Sequence, residues 1–287
     1  MNRRTFIGQS ALAAAALSMQ GFAFPKQHQI GIQLYTVRDE VAKSVEGALQ
    51  GIAKAGYNHV ELYGYQDRLF FGKTVAQIKD LLKQNKLQAY SGHYLLQDML
   101  YDKTYNWDSW KYLLDEAAML QHQYIVIPWL DAAHRTGDDF KRVTERINEG
   151  AALAKAYKMK VGYHNHDFEF QKADNGKTFL ENMIRDTDPG LVDFELDLYW
   201  AAYAGQDPID WFRRFPGRFT LWHVKDMSQG TTKQSCEVGK GVIDWKTIFA
   251  SKKTSGLNYF FVEQEHYTQP VFNCIADSIG YLKKEVL

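Results

Sequence analysis

The sequence predicts a single α/β domain, a (β/α)8 barrel over residues 25–287, on three observations. Short apolar runs alternate with amphipathic stretches eight times. The 287-residue length suits one barrel of about 250 residues. Polar side chains able to bind cations or move protons collect where the apolar runs end. That is the end at which barrels carry their active sites.

The chain opens with a leader rather than with the fold. Arg3 and Arg4 precede an apolar, Ala-rich stretch at 6–19, and small residues follow at Gly21 and Ala23. This is the layout of a cleavable export signal, and it is shorter than the roughly 20 apolar residues a membrane span needs. Asn2-Arg3-Arg4-Thr5-Phe6-Ile7 resembles a twin-arginine signal, an ordinary secretory signal being the alternative. Residues 1–24 are therefore set aside as removed, and the mature protein is expected in the periplasm, outside the membrane.

The strands expected after it are 30–35, 59–63, 87–91, 124–128, 160–164, 191–196, 219–223 and 259–262. The helices expected between them are 41–55, 75–84, 107–120, 139–157, 177–185, 209–215, 245–252 and 271–284. Gly56 and Asp188-Pro189-Gly190 stand where helices hand back to strands. A doubly wound open sheet would place a glycine-rich dinucleotide turn after its first strand. Here that strand runs into Gln33-Leu34-Tyr35-Thr36-Val37-Arg38, with no such turn.

Charge and cysteine usage narrow the function. Lys plus Arg and Asp plus Glu each total 34, so net charge is zero and the basic footprint of a nucleic-acid binder is missing. Cys236 and Cys274 are the two cysteines, without the CxxC spacing of a structural zinc site. They are expected as free thiols, with pairing in an oxidising compartment left open. Homo-oligomer formation is also left open.

A strand buried on both faces should be almost wholly apolar, so polar residues at its C-terminal end carry information. The second strand ends on Glu61, the third on His93, and the fifth on His164-Asn165-His166. The sixth ends on Glu195 and Asp197, the seventh on His223-Val224-Lys225-Asp226, and the eighth on Glu263-Gln264-Glu265. Alternation puts His164 with His166, Glu195 with Asp197, and Glu263 with Glu265 on shared faces. Carboxylates gathered at one mouth need a cation or protons to neutralise them. Mixed imidazole and carboxylate donors suit one divalent metal ion such as Mn²⁺, Co²⁺ or Zn²⁺, with Mg²⁺ also open. Asp226 reads equally as a helix cap or a solvated loop charge.

At these residues the chain resembles the xylose isomerase-like TIM-barrel superfamily, whose members are commonly termed sugar phosphate isomerase/epimerase. The likeness rests on the segment from Ile32 to Asp39, on Gly56-Tyr57-Asn58-His59-Val60-Glu61, and on Gly162-Tyr163-His164-Asn165-His166 with Phe168-Glu169-Phe170. His223-Val224-Lys225-Asp226 and the segment from Val238 to Trp245 complete it. The resemblance implies a divalent metal on ligands from strands five to eight. Asp197, His223 and Glu263 match three of them. The usual strand-five glutamate is replaced by His164, which takes the fourth place here, with Glu169, or a site of three protein ligands and more water, as the alternatives.

The resemblance implies isomerisation or epimerisation, in which a proton leaves a carbon beside a carbonyl and the resulting enediolate is stabilised by the metal. Glu263 is one expected acid/base, with Glu169, His166 and Glu265 as candidates for the other. Gln33, Glu61, His93, Trp129, Lys225 and Glu265 are expected substrate contacts, Trp129 and Trp200 by stacking on a sugar face. Lys240, between Gly239 and Gly241, is either an anion cradle or a solvated turn. The expected substrate is a small carbohydrate, a free sugar or keto-sugar rather than a phosphate, given export. Replacement of the strand-five carboxylate keeps a second enzyme open, a lyase or dehydratase on a keto-polyol or 3-keto-glycoside. A periplasmic barrel that binds sugar without turnover is the non-enzymatic reading.

Overall fold

The computed structural model describes residues 29–102 and 104–287, and the expected signal at 1–24 lies outside the described residues. Eight parallel strands form a closed ring: β1 (Gly31–Gln33), β2 (His59–Leu62), β3 (Gln88–His93), β4 (Tyr124–Ile127), β5 (Lys160–His164), β6 (Val192–Asp197), β7 (Leu221–Val224) and β8 (Tyr259–Val262). Each strand pairs with its chain neighbours. The ring closes where Gly31 and Ile32 of β1 pair with Phe261 and Val262 of β8.

Eight principal helices cover the outside: α1 (Val45–Ala55), α2 (Val75–Gln84), α3 (Trp107–Met119), α4 (Gly137–Ala154), α5 (Phe179–Asp186), α6 (Pro208–Arg214), α7 (Trp245–Ala250) and α8 (Val271–Tyr281). Their starts follow side-chain capping. Ser44 accepts from the Gly47 N–H, and Thr74 and Thr136 form capping boxes with Gln77 and Asp139. In α1 the buried residues are Val45, Ala48, Leu49 and Ile52, one apolar stripe, and Gly56 ends the helix at φ 102°.

Two local expectations change. The first strand stops at Gln33, whose side chain accepts from the Tyr35 N–H and turns 34–37 into a 3-10 helix. The expected helix at 41–55 is two, Arg38–Lys43 and α1, because Ser44 is extended and starts a new helix. Additional short strands lie outside the ring. Tyr65–Gln66, Leu69–Phe70 and Lys73–Thr74 form a small sheet after β2, and Asp226–Met227 pairs with Ser235–Cys236 after β7. Cys236 and Cys274 are free.

Strand alternation divides the core in two. Outward residues such as Val60, Val161, Leu196 and Val262 join the helices in the large apolar core, while Tyr124, Val126, Leu221 and Phe261 form a small separate cluster. Gly31 makes room within the ring. A Cβ there would sit 2.4 Å from His59 Nε2 and 2.5 Å from Phe261 Cδ1. A bulge in the β2–β3 pairing falls between Val60 and Glu61, just before the first polar side chain of the mouth.

Candidate active site

The site is built on the last residues of β5 to β8. Asp197 closes β6, and its Oδ1 accepts from the Trp200 N–H at 2.9 Å, starting a short helix at Leu198–Tyr203. Its Oδ2 is buried and has no hydrogen-bond partner among the described residues. His223 is its register partner on β7. His223 Nδ1 lies 4.0 Å from Asp197 Oδ2 and 3.0 Å from Glu263 Oε2. Donor atoms of Asp197, His223 and Glu263 all fall within 4.8 Å of one another. His164 adds a fourth, with Nε2 3.8 Å from Asp197 Oδ2.

Beneath these donors lies a hydrogen-bonded shell centred on Glu195. Its Oε2 is 2.7 Å from His93 Nε2, 3.0 Å from His164 Nδ1 and 3.2 Å from His223 Nε2. Glu61 Oε2 lies 2.7 Å from His223 Nε2 and 3.1 Å from His93 Nε2, and it accepts from Gln33 Nε2 at 2.8 Å. Ser91 Oγ donates to Glu61 Oε1 at 2.6 Å. His93, His164, Glu195 and His223 are also close enough to hold an ion. In this second group one oxygen, Glu195 Oε2, contacts all three rings, the arrangement of a carboxylate that orients imidazoles, which favours a supporting role. A carboxylate on one imidazole nitrogen fixes the ring and leaves the other nitrogen to a metal. His164, held through Nδ1, presents Nε2 to Asp197. His223, held through Nε2, presents Nδ1 to Asp197 and Glu263.

The electrostatics fit this division. Burial, then the nearby His223 and His93, keep His164 well below the usual imidazole range, so it stays neutral as a ligand must. Burial opposes charge on His93, but Glu61 and Glu195 outweigh it and push the ring up to about 9. For His223 burial is likewise outweighed, here by Glu195 and Glu263, and its affinity for a proton rises, so an ion bound there would have to displace that proton. Burial raises Asp197 against the pull of Lys225 and His223. Glu61, Glu195, Asp197 and Glu263 are all buried around one space. Such a carboxylate set demands positive charge, and two of its buried oxygens, Asp197 Oδ2 and Glu195 Oε1, have no hydrogen-bond partner among the described residues. The residues therefore fit a divalent ion held by His164, Asp197, His223 and Glu263.

Other expected residues are placed around this centre. The buried Lys225 Nζ donates to Glu265 and lies 3.5 Å from Glu263 Oε2, with the Tyr199 and Trp200 rings 5.0 and 5.2 Å away. His166 sits against Trp129 at 4.6 Å and Trp200 at 5.4 Å, and its Nδ1 has no partner among the described residues. Burial holds its ring down to about 3.

Glu169 lies elsewhere. Its carboxylate accepts from Tyr163 Oη at 2.7 Å and from the His166 N–H at 2.8 Å, and it belongs to neither donor cluster. Tyr163 is part of the large apolar core, so Glu169 braces the His164–His166 turn from behind the strand. Burial pushes its carboxyl up to about 8.

Asp226 is neither a helix cap nor a solvated charge. It is buried and accepts from the N–H groups of Met227, Gly239, Gly241 and Ile243 and from Trp245 Nε1. Lys240 points to Asp277 at 2.6 Å and Glu237 at 3.4 Å, so it cradles no anion in this arrangement. Sequence reasoning passed over Asn165, whose Oδ1 accepts from the Asp197 N–H at 3.1 Å and ties β5 to β6. It also left Glu195 without a role, although alternation already set it on the face of Asp197.

Comparison with known proteins bears on the fold and the family. The chain is 28% identical over 131 residues to an inosose dehydratase of Clostridium tetani, covering 40% of the chain and 43% of that relative, so less than half the relative's length is matched. A solved sugar phosphate isomerase/epimerase from Parabacteroides distasonis superposes with a TM-score of 0.76 at 27% identity, covering 89% of this chain and 93% of the other. A protein solved with a bound zinc atom shares the fold at a TM-score of 0.66 and 14% identity, covering 88% and 95% of the two chains. The family described as xylose isomerase-like TIM barrel matches residues 49–285. With the closed ring, the polar mouth and this match, the chain belongs to the xylose isomerase-like TIM-barrel family.

Proposed function

We propose that this protein is a metal-dependent isomerase or epimerase that transfers protons on a free sugar or keto-sugar in the periplasm. The observation carrying the proposal is the convergence of Asp197, His223 and Glu263 from three adjacent strand ends, with Asp197 Oδ2 buried and unpartnered. A bound divalent ion would supply Lewis acidity at a sugar oxygen, favouring ionisation of the adjacent carbon. The chain's own residues do the rest. Glu263 and His166 are the carboxylate and imidazole able to take and return the proton. Lys225 holds Glu263 and Glu265 in place, while Glu61 and Glu195 orient His93, His164 and His223. Trp129 and Trp200 supply apolar faces for the sugar ring.

A lyase is the second reading, and the placement of Glu169 favours it. With that carboxylate directed to Tyr163 and the His166 N–H, one base and one acid suffice for elimination from a keto-polyol or keto-glycoside.

The test combines metal analysis with solvent-deuterium exchange over a panel of free and 3-keto sugars. Protein purified without chelator is expected to hold one divalent ion, and Asp197→Ala to lose it together with exchange. Deuterium uptake without water loss supports the isomerase, and elimination supports the lyase. Tight sugar binding with neither would establish a binding protein and overturn the enzymatic reading.

A further inference from the structure

We infer that the barrel carries a second ligand site at the end opposite the candidate active site, a cleft that binds a small organic polyanion. This site does not rest on the reaction proposed above. The cleft measures about 1040 Å³ and lies where strands begin instead of where they end. Gln29 stands before β1, His59 opens β2, Gln88 opens β3 and Gln121 precedes β4, and all four line it. The strands of the ring run parallel, so this is the far end from Asp197, His223 and Glu263.

The charge of the lining selects the occupant. Lys79, Lys83 and Lys86 all line the cleft, all are exposed, and their ammonium groups have no partner among the described residues. No Asp or Glu is found among the described residues of the lining. This segregation occurs in a chain with equal totals of acidic and basic side chains. Lys79 and Lys83 are one turn apart on α2, which sets like charges about 6 Å from each other and destabilises a helix. Lys83 lies in the last turn, where a cation also suits the helix end. Lys79, a turn earlier, lacks that compensation. An anion between the two turns the repulsion into attraction. The amides of Gln29, Gln88 and Gln121 add N–H donors suited to the same anionic oxygens.

Size and floor narrow the class further. A cleft of about 1040 Å³ has room for a whole small molecule and far exceeds what a bare sulfate or phosphate fills. Its floor is apolar, formed by the buried Leu82, Leu87 and Leu120. Beside it the rings of His59 and Tyr90 lie 5.7 Å apart. A ring or short carbon skeleton covers this floor while its charged substituents reach the lysines at the rim. A double helix or a membrane surface is too broad to reach a recessed floor, and three lysines fall short of the extended basic face that either requires.

The test titrates pyrene-1,3,6,8-tetrasulfonate, a flat ring system with fixed negative charges, into the full-length protein by calorimetry. One molecule per chain is expected to bind, with a dissociation constant below about 100 μM at low salt that weakens about fivefold or more as salt screens the charges. Inorganic sulfate is expected to bind about tenfold or more weakly than the probe. Replacing Lys79 and Lys83 together by Gln should weaken the probe about tenfold. Lys172→Gln with Lys177→Gln, an equal change of charge on the loop after β5, should leave its affinity within about twofold, as should Asp197→Ala. Bound probe should also slow acetylation of Lys79, Lys83 and Lys86 but not of Lys172 and Lys177, read by peptide mass spectrometry. No binding, sulfate matching the probe, equal losses from the two lysine pairs, or uniform protection would each overturn the site. So would loss of binding in Asp197→Ala, which would assign the probe to the mouth of the barrel.

Discussion

Replacing Asp226 by Asn keeps the side chain's shape and removes what the surrounding loop needs from it. Oδ1 accepts from the Met227 N–H at 2.8 Å and the Ile243 N–H at 3.3 Å. Oδ2 accepts from the Gly239 N–H at 2.8 Å, the Gly241 N–H at 3.3 Å and Trp245 Nε1 at 2.8 Å. All five partners are donors, so an amide in either orientation turns an NH₂ group toward at least two of them. A hydrogen bond to a buried carboxylate contributes about 1.5–3 kcal/mol, and losing two gives a cost of about 3–6 kcal/mol. The fall in melting temperature should reach about 6 °C or more for a chain of this size. Urea unfolding followed by circular dichroism measures it, with the midpoint shifting and the slope preserved. A loss below about 1 kcal/mol would show that the loop does not depend on this carboxylate.

Two further perturbations follow from buried contacts. Glu169, pushed up to about 8 by burial, keeps its proton in the folded chain at pH values where the unfolded chain has released it. Stability from this group is therefore full below about pH 4.5 and is lost as pH rises toward 8, with a slope approaching about 1.4 kcal/mol per pH unit. Glu169→Gln should flatten that part of the profile in unfolding measured at pH 5, 6.5 and 8, and parallel profiles for the two proteins would refute it. Gly31→Ala would press a methyl group against His59 and Phe261, at a cost of about 1–3 kcal/mol. An unaltered melting temperature would mean that the interior yields more easily than its contacts indicate.

The ring of strands was legible because parallel strands buried on both faces leave nearly continuous apolar runs, and their polar ends stand out against them. Alternation worked while a strand lasted. It grouped Asp197 with Glu195, and both face the interior cluster. It failed just past strand ends, where the chain turns. Glu169 follows the end of β5 at His164 through a 3-10 turn, so no parity could tell that it folds back onto Tyr163. Asp226 escaped for a related reason. Its five donors come from positions up to 19 residues onward, and only the folded loop gathers them. The division of labour among His93, His164 and His223 depends on which ring nitrogen meets which carboxylate, a matter of angle that spacing does not carry.

Closure of the barrel also constrains when the protein can begin to work. β1 has its second partner in β8, and beyond them Arg38 bonds to Tyr267, 229 positions later. The centre draws Gln33 and Glu61 from the early chain and Glu263 from near its end. A nascent polypeptide still lacking its final strand has an open sheet and an incomplete donor set. Competence should therefore arrive abruptly, with the joining of the first and last strands of the ring, rather than accumulate as successive units emerge.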